Sequence, residues 1–250
     1  MKKLEEMSLD ELWHLFPIKL EEHKEVYEEY FNEEKERVES FIPKEKIYRL
    51  SHIGSTAIKD IIAKPVVDIL LETEGQYFGD VSILLKENGY TFMCASPYRA
   101  SFNKGYTNRG YEERVFHLHL RVKNDNDELY FRDYLNNNVE IRKEYEALKI
   151  KLAKEYEFNR DEYTNQKSEF VKKYSEEAKK LYQDKYRKQI KKGNKMIGLF
   201  VPSTIFLFLS YAFLGLIIYS YFSFFAAFSI GNVVGLLILY LSVLLYMILF

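Results

Sequence analysis

The charges of this chain stop at Lys195: all 36 Lys and Arg and all 37 Asp and Glu precede Met196, and residues 196–250 carry none. About 20 consecutive apolar residues suffice to cross the hydrocarbon core of a bilayer. Residues 196–221, MIGLFVPSTIFLFLSYAFLGLIIYSY, are therefore expected to form one transmembrane helix and residues 231–250 a second, joined through the short stretch 222–230 with Ser223 and Ser229. Directly before the first span stand Lys185, Arg187, Lys188, Lys191, Lys192 and Lys195. Basic flanks stay in the cytoplasm. The expectation is a multi-pass anchor in the cell membrane, residues 196–250 in contact with lipid, holding a soluble cytoplasmic domain of residues 1–192. Gly231 and Gly235 have the small-xxx-small spacing of closely approaching helices. Neither span holds an ionisable residue, so no ion or proton pathway is expected. The N-terminus, MKKLEEMSLDELWHLF, lacks the apolar run and small-residue cleavage site of a signal peptide.

The formal net charge of −1 gives no reason to expect nucleic acid as a partner. The single cysteine, Cys94, excludes an intrachain disulfide framework, suits a reducing compartment and is expected to be a buried, inert thiol. Between Leu4 and Phe41 apolar residues recur at helical spacing, which predicts two helices joined near Pro17. After Pro43 the pattern changes to short β-rich runs at about 45–53, 65–72, 90–95, 99–104 and 114–122. A helix over 80–88, closed by Gly89, separates the second run from the third. From about Leu129 the sequence is helical again, with a break at residues 158–161. The fold class is thus α/β or α+β, a mixed sheet with helices before, within and after it.

Chemistry concentrates on two of these runs. Side chains alternate along a strand, so PVVDILLE sends Val67, Ile69 and Leu71 to one face and Asp68, Leu70 and Glu72 to the other. A carboxylate on a largely apolar strand needs partners or an open cleft. In RVFHLHLRV the same alternation puts His117, His119 and Arg121 on one face, a pattern that suits a shared metal or phosphate, or simply an exposed polar face. Upstream, SHIGSTAIKDIIAKP places Gly54, Ser55 and Thr56 at what reads as a strand-to-helix turn, where free backbone donors favour a phosphate group and where Ser55 or Thr56 can instead be an N-cap. His52 is expected to point into the same cleft and Lys64 to face phosphate. Arg99, Lys104 and Arg114 are further basic candidates, and Trp13 is expected to pack within the N-terminal helices.

HIGSTAIKDIIAKPVVDILLE resembles the signature of the GrpB family, a branch of the nucleotidyltransferase superfamily whose core motif is a Gly-Ser turn followed by an acidic residue on the next strand. LWHLFPIKLEEH near the N-terminus, FHLHL, FRDYL at 131–135, EYEALKIKLA at 144–153 and Tyr163–x3–Lys167–x2–Phe170 agree with the family in order, over about residues 10–175. The resemblance implies a nucleotidyltransferase-like mixed sheet with flanking helices, a Gly54–Ser55 turn holding the phosphates of a nucleotide, and Asp68 as first catalytic carboxylate. Active members of the superfamily carry a second carboxylate two residues on and a third on a neighbouring strand, to bind two metals. Here the second is Leu70, and the third is replaced by His117 or His119. What remains expected is binding of a nucleotide or phosphorylated small molecule, with a divalent metal (Mg, Mn or Zn) on Asp68, His117 and His119, and either nucleotidyl transfer or a non-catalytic sensing role at the membrane.

Overall fold

The computed structural model describes residues 2–183, 185–186 and 231–249. The chain divides into two units, residues 1–188 and 189–250. In the first, a short helix α1 (Leu9–Leu15) is started by a capping box. Ser8 Oγ accepts from Glu11 N at 3.2 Å, and Glu11 Oε2 accepts from Ser8 N at 2.7 Å. The two expected helices are present, but the chain from Pro17 to Lys24 is not helical, so the connection that begins at Pro17 is longer than a simple joint. Its backbone pairs elsewhere, Ile18 N with Glu157 O and Glu21 with Ala63. Helix α2 (Val26–Phe41) follows, burying Tyr27, Phe31 and Val38 on one stripe.

Five strands form one mixed sheet: β1 (Arg49–Ile53), β2 (Val67–Thr73), β3 (Thr91–Ser96), β4 (Arg99–Thr107) and β5 (Gly110–Val122), with helix α3 (Phe78–Glu87) between β2 and β3. The spatial order is β1-β2-β5-β4-β3, and only β2 and β5 run parallel. Helices α2 and α3 cover one face through Val67, Ile69 and Leu71 of β2, Phe102 of β4 and Phe116, Leu118 and Leu120 of β5. The expected alternation of both chemistry-bearing strands is thus observed. Gly89, at φ +85°, ends the α3 segment as expected, since glycine takes the left-handed conformation that closes a helix.

Three helices, α4 (Asp127–Asn137), α5 (Val139–Glu155) and α6 (Arg160–Tyr182), build a second core of Phe131, Leu135, Tyr145 and Tyr174 with Ile58 and Ile61. The expected break near 158–161 is the α5–α6 connection, where Asn159 caps α6 by accepting from Glu162 N at 3.0 Å, the usual role of a short polar side chain at a helix start. The architecture is a five-stranded sheet with flanking helices, consistent with the nucleotidyltransferase-like expectation.

In the second unit the structure describes one helix, α7 (Gly231–Leu249), 19 residues without an acidic or basic side chain in its terminal turns. Among the described residues no helix is long and apolar enough to cross a membrane. The two-span hairpin is not supported by the described residues, and its first span, 196–221, lies outside them.

Candidate functional site

The parallel pairing of β2 with β5 sets Asp68 beside His117, Leu70 beside His119 and Glu72 beside Arg121. His117 Nδ1 stands 3.3 Å and His119 Nε2 3.5 Å from the same oxygen, Asp68 Oδ1. Tyr106 joins them from β4 through a break in alternation. Phe102 lies in the α2/α3 core, and Lys104 reaches back to Glu34 on α2 at 2.6 Å. Strict period-two alternation would send Tyr106 to that side as well. Instead the β4–β5 register shifts between Lys104 and Tyr106. Gly105, at φ +89°, allows the shift, because a Cβ there would lie 2.3 Å from the Arg114 carbonyl oxygen; the extra residues belong to β5, where 112–115 stand opposite Gly105 alone, and such an irregularity re-aims the side chain that follows it. Tyr106 Oη thereby comes 2.6 Å from His117 Nε2 and accepts from Arg160 Nη2 at 2.8 Å.

Donor and acceptor counting fixes the protons in this chain of contacts. The ionised Asp68 carboxylate can only accept, so the neutral His117 ring carries its proton on Nδ1 toward it, which leaves Nε2 to accept the phenolic proton of Tyr106 while the phenol oxygen accepts from Arg160. Arg121 Nη2 likewise donates to His119 Nδ1 at 3.3 Å, leaving the His119 proton on Nε2, also toward Asp68. Burial works to raise the Asp68 pKa, but the two imidazoles overcome it and hold the carboxyl well below the usual range. Burial lowers the His117 pKa against the opposing pull of Asp68, which favours the neutral ring.

This arrangement does not fit the expected metal. A shared ion needs lone pairs converging on one point. Here both N–H groups point at Asp68, and the remaining lone pairs are taken by Tyr106 and Arg121. Among the described residues no group of three His, Cys, Asp or Glu is placed to hold a metal ion. The second carboxylate position is fully closed: Leu70 is buried with Ile53 and Leu129. Glu72, also buried, accepts from Asn124 N and Asn126 Nδ2 and pairs with Arg49, so it stabilises the β2 end rather than the cleft.

Around Asp68 opens a cavity of about 1120 Å³ whose lining includes Gly54, Ser55, Lys64, Tyr106, His117 and His119. Three cations from the following helices line it with Lys64: Lys149 on α5, and Arg160 and Lys167 on α6. Each of the four stands over an aromatic face, where the ring quadrupole attracts a cation. Lys64 and Lys167 lie over Tyr163, at 5.4 Å and 4.0 Å from its centroid. Lys149 lies over Tyr145 at 5.0 Å and Arg160 over Tyr106 at 5.3 Å. No carboxylate pairs with any of them among the described residues. Burial, reinforced by their mutual repulsion, pushes Lys64 and Lys149 down to about 7; burial pulls Lys167 down to about 8 despite Asp68.

The structure brings Gly54, Ser55, Lys64, Asp68, His117 and His119 together as expected, but not His52 or Thr56. His52 is on the opposite face of β1, buried, stacked on Phe31 at 5.1 Å and bonded to Glu28 and Thr56. Thr56 donates to Val66 O and holds the following loop. The expected helix after the turn is a single 3-10 turn, Ser55–Ala57, so no helix N-terminus faces the cleft. Gly54 serves a different need: at φ +70° its backbone packs on Asp68, and a Cβ would lie 2.1 Å from Asp68 Oδ2, so only glycine fits. Arg99 pairs with Asp125, Lys104 with Glu34 and Arg114 with Glu33, all away from the cavity. Cys94 is exposed on β3 rather than buried. Trp13 lines the cavity from α1.

A family model described as GrpB protein matches residues 17–177. The glutamate-rich protein GrpB of Alkalihalophilus pseudofirmus is 37% identical over 158 residues, covering 60% of this chain and 88% of that protein. The UPF0157 protein YqkA of Bacillus subtilis is 32% identical over 176 residues, covering 68% of this chain and 50% of its own length. The chain therefore spans about half of that relative. Among solved structures, the crystal structure of conserved protein GrpB from Enterococcus faecalis superposes with a TM-score of 0.57 at 28% identity, covering 66% of this chain and 99% of the other.

Proposed function

The chain belongs to the GrpB family, and from that premise we propose that its first unit binds a nucleotide or another phosphorylated small molecule in the cavity beside Asp68. The observation that carries the reading is the set of four cations, Lys64, Lys149, Arg160 and Lys167, held on tyrosine faces without paired carboxylates. Gathering like charges in a half-buried site is costly, and an anionic ligand offsets that cost. A phosphate chain supplies several acceptor oxygens for lysine and arginine donors. The cations take the neutralising role that two metals would have in the superfamily pattern, so binding is expected without added divalent ion.

Titration calorimetry of the full-length chain with a nucleoside triphosphate, and with the matching nucleoside, tests this. Binding of the triphosphate alone, retained in chelator and weakened in Lys64→Met and Lys167→Met, is the expected result. Equal binding of nucleoside and triphosphate, or binding of no phosphorylated compound, removes the reading. Nucleotidyl transfer of the two-metal kind lacks its second carboxylate at Leu70, which favours a nucleotide-sensing module as the second reading.

We also propose that residues 196–250 hold this domain at the membrane, the domain facing the cytoplasm. The support is the uncharged sequence of these residues together with the side chains described on α7. Leu237, Ile238, Leu239, Leu245 and Met247 are each at least 60% exposed. A helix apolar on all sides requires an apolar surrounding. Sodium carbonate extraction of membranes from cells making the full-length chain should leave it in the pellet; release into the supernatant would remove the proposal.

A further inference from the structure

The contacts around Asp68 have the order of a catalytic relay. A carboxylate faces one ring nitrogen of an imidazole, and the other nitrogen accepts the proton of a hydroxyl that lines the cavity. Where that order occurs in hydrolases, the carboxylate fixes the tautomer and stabilises the imidazolium, and the hydroxyl becomes a nucleophile as the imidazole removes its proton. Here the hydroxyl is a phenol. We infer that Asp68, His117 and Tyr106 make the Tyr106 phenol a nucleophile toward a phosphorus of the ligand bound in the cavity, an inference that rests on the phosphate-binding reading above.

Two features separate Tyr106 from the other cavity phenols. Tyr145 and Tyr163 also line the space, but Tyr145 is bonded to Ser55 and neither has an imidazole partner among the described residues. Only Tyr106 is placed between a base, His117 Nε2 at 2.6 Å, and a fixed cation, Arg160 Nη2 at 2.8 Å. The guanidinium stabilises oxygen charge as the proton leaves. The break in alternation at Gly105, opposite the irregular stretch of β5, turns this side chain out of the core and onto the site face. Burial pushes the Tyr106 phenol up to about 12 even though Arg160 opposes it, so the group is neutral at rest and depends on the base beside it.

The step balances without a further reactant. A bond forms from Tyr106 Oη to phosphorus, and the bond from phosphorus to the leaving oxygen breaks, its electron pair staying with that oxygen. The phenolic proton passes to His117 Nε2, and the imidazolium is held by Asp68. The new charge on the leaving oxygen is met by Lys64 and Lys167. His119, held by Arg121, supports the Asp68 orientation.

A substrate-independent test uses the reactivity of the phenol. The full-length chain is treated at pH 7 with an aryl sulfonyl fluoride that modifies phenols, and labelling is mapped by peptide mass spectrometry over its 21 tyrosines. Tyr106 should be labelled faster than Tyr145 and Tyr163. His117→Gln should slow that labelling by about a hundredfold, the scale of general-base assistance, with its melting temperature kept. In His117→Gly, added imidazole should restore labelling. Tyr106 labelled no faster than Tyr145 and Tyr163, or at a rate indifferent to His117, would overturn the relay. If Tyr106 is inert while the triphosphate still binds, the relay falls and the binding reading stands. If Tyr106 is reactive but no phosphorylated compound binds, phosphorus is the wrong target and the inference falls with the reading it rests on.

Discussion

Lys149→Met should make the ligand-free protein more stable while making it a poorer phosphate binder. Lys149 is only 1% exposed, and burial lowers its pKa from 10.5 to about 7. At about 1.4 kcal/mol per pKa unit, and with the group half charged at pH 7, the native state bears a cost of about 4 kcal/mol that the unfolded chain avoids. Methionine fills a similar volume and deletes that cost, but it leaves the Ile62 carbonyl oxygen without the Nζ donor, which costs about 1–3 kcal/mol. The net expectation is a gain of about 1–3 kcal/mol at pH 7. The sign of the pH dependence follows from a native pKa below the unfolded one. The penalty is fully present below pH 7 and fades as pH rises toward 10.5, so the wild-type protein should gain stability from pH 7 to 9 and the variant should gain less. Urea melts of both full-length chains at the two pH values, with and without a nucleoside triphosphate, measure this. Affinity should fall about tenfold, the worth of one charge-assisted contact. A variant less stable than wild type at pH 7, with the same pH slope and unchanged affinity, would mean that Lys149 merely clamps the Ile62 loop.

Two further outcomes concern Asp68 and its neighbour. Gly54→Ala should lose about 1–3 kcal/mol from its positive φ alone, and more because the new Cβ displaces the Asp68 carboxylate; urea melts and triphosphate titration should both register the change. Asp68→Asn should remove acid sensitivity: the wild-type contribution is present above pH 3.8 and lost as pH falls below it, because the native pKa is depressed, so melting temperatures between pH 2 and 5 should be flatter in the variant.

The fold is largely legible because each strand carries its own period. Alternation alone assigns Val67, Ile69 and Leu71, and Phe116, Leu118 and Leu120, to one face, and all six lie in the α2/α3 core. His52 fails under the same rule because β1 is antiparallel to β2 with Ile53 beside Asp68, which puts His52 on the opposite face. That register is a tertiary fact, invisible in RLSHI. The Ser55–Ala57 turn reads as a helix start because Ser and Thr are good caps. Ile58 and Ile61 instead pack under α4 and α5, and burial of those two side chains overrides local propensity over the segment.

The cation cluster does leave a trace in the sequence. On α5, Tyr145, Lys149 and Leu152 recur at i, i+4 and i+7, and on α6, Arg160, Tyr163, Lys167, Phe170 and Tyr174 share one stripe. A charged residue at an inward position of an otherwise apolar or aromatic stripe is the helical counterpart of Asp68 on β2. In each case the burial cost of the charge demands a partner the element itself does not provide. The stripes of α5 and α6 are obscured because both helices carry many charges on their outer faces, so that Lys149 and Lys167 resemble members of a solvated surface. Tyr106 is hidden differently, since strict alternation from Phe102 assigns it to the core, and only a glycine inside a strand, Gly105, signals that the parity can change there. The two signals are of one kind: an inward lysine and an intrastrand glycine each violate the rule of their own element, and in this chain both violations lead to the same cavity, where Arg160 on α6 meets Tyr106 on β4.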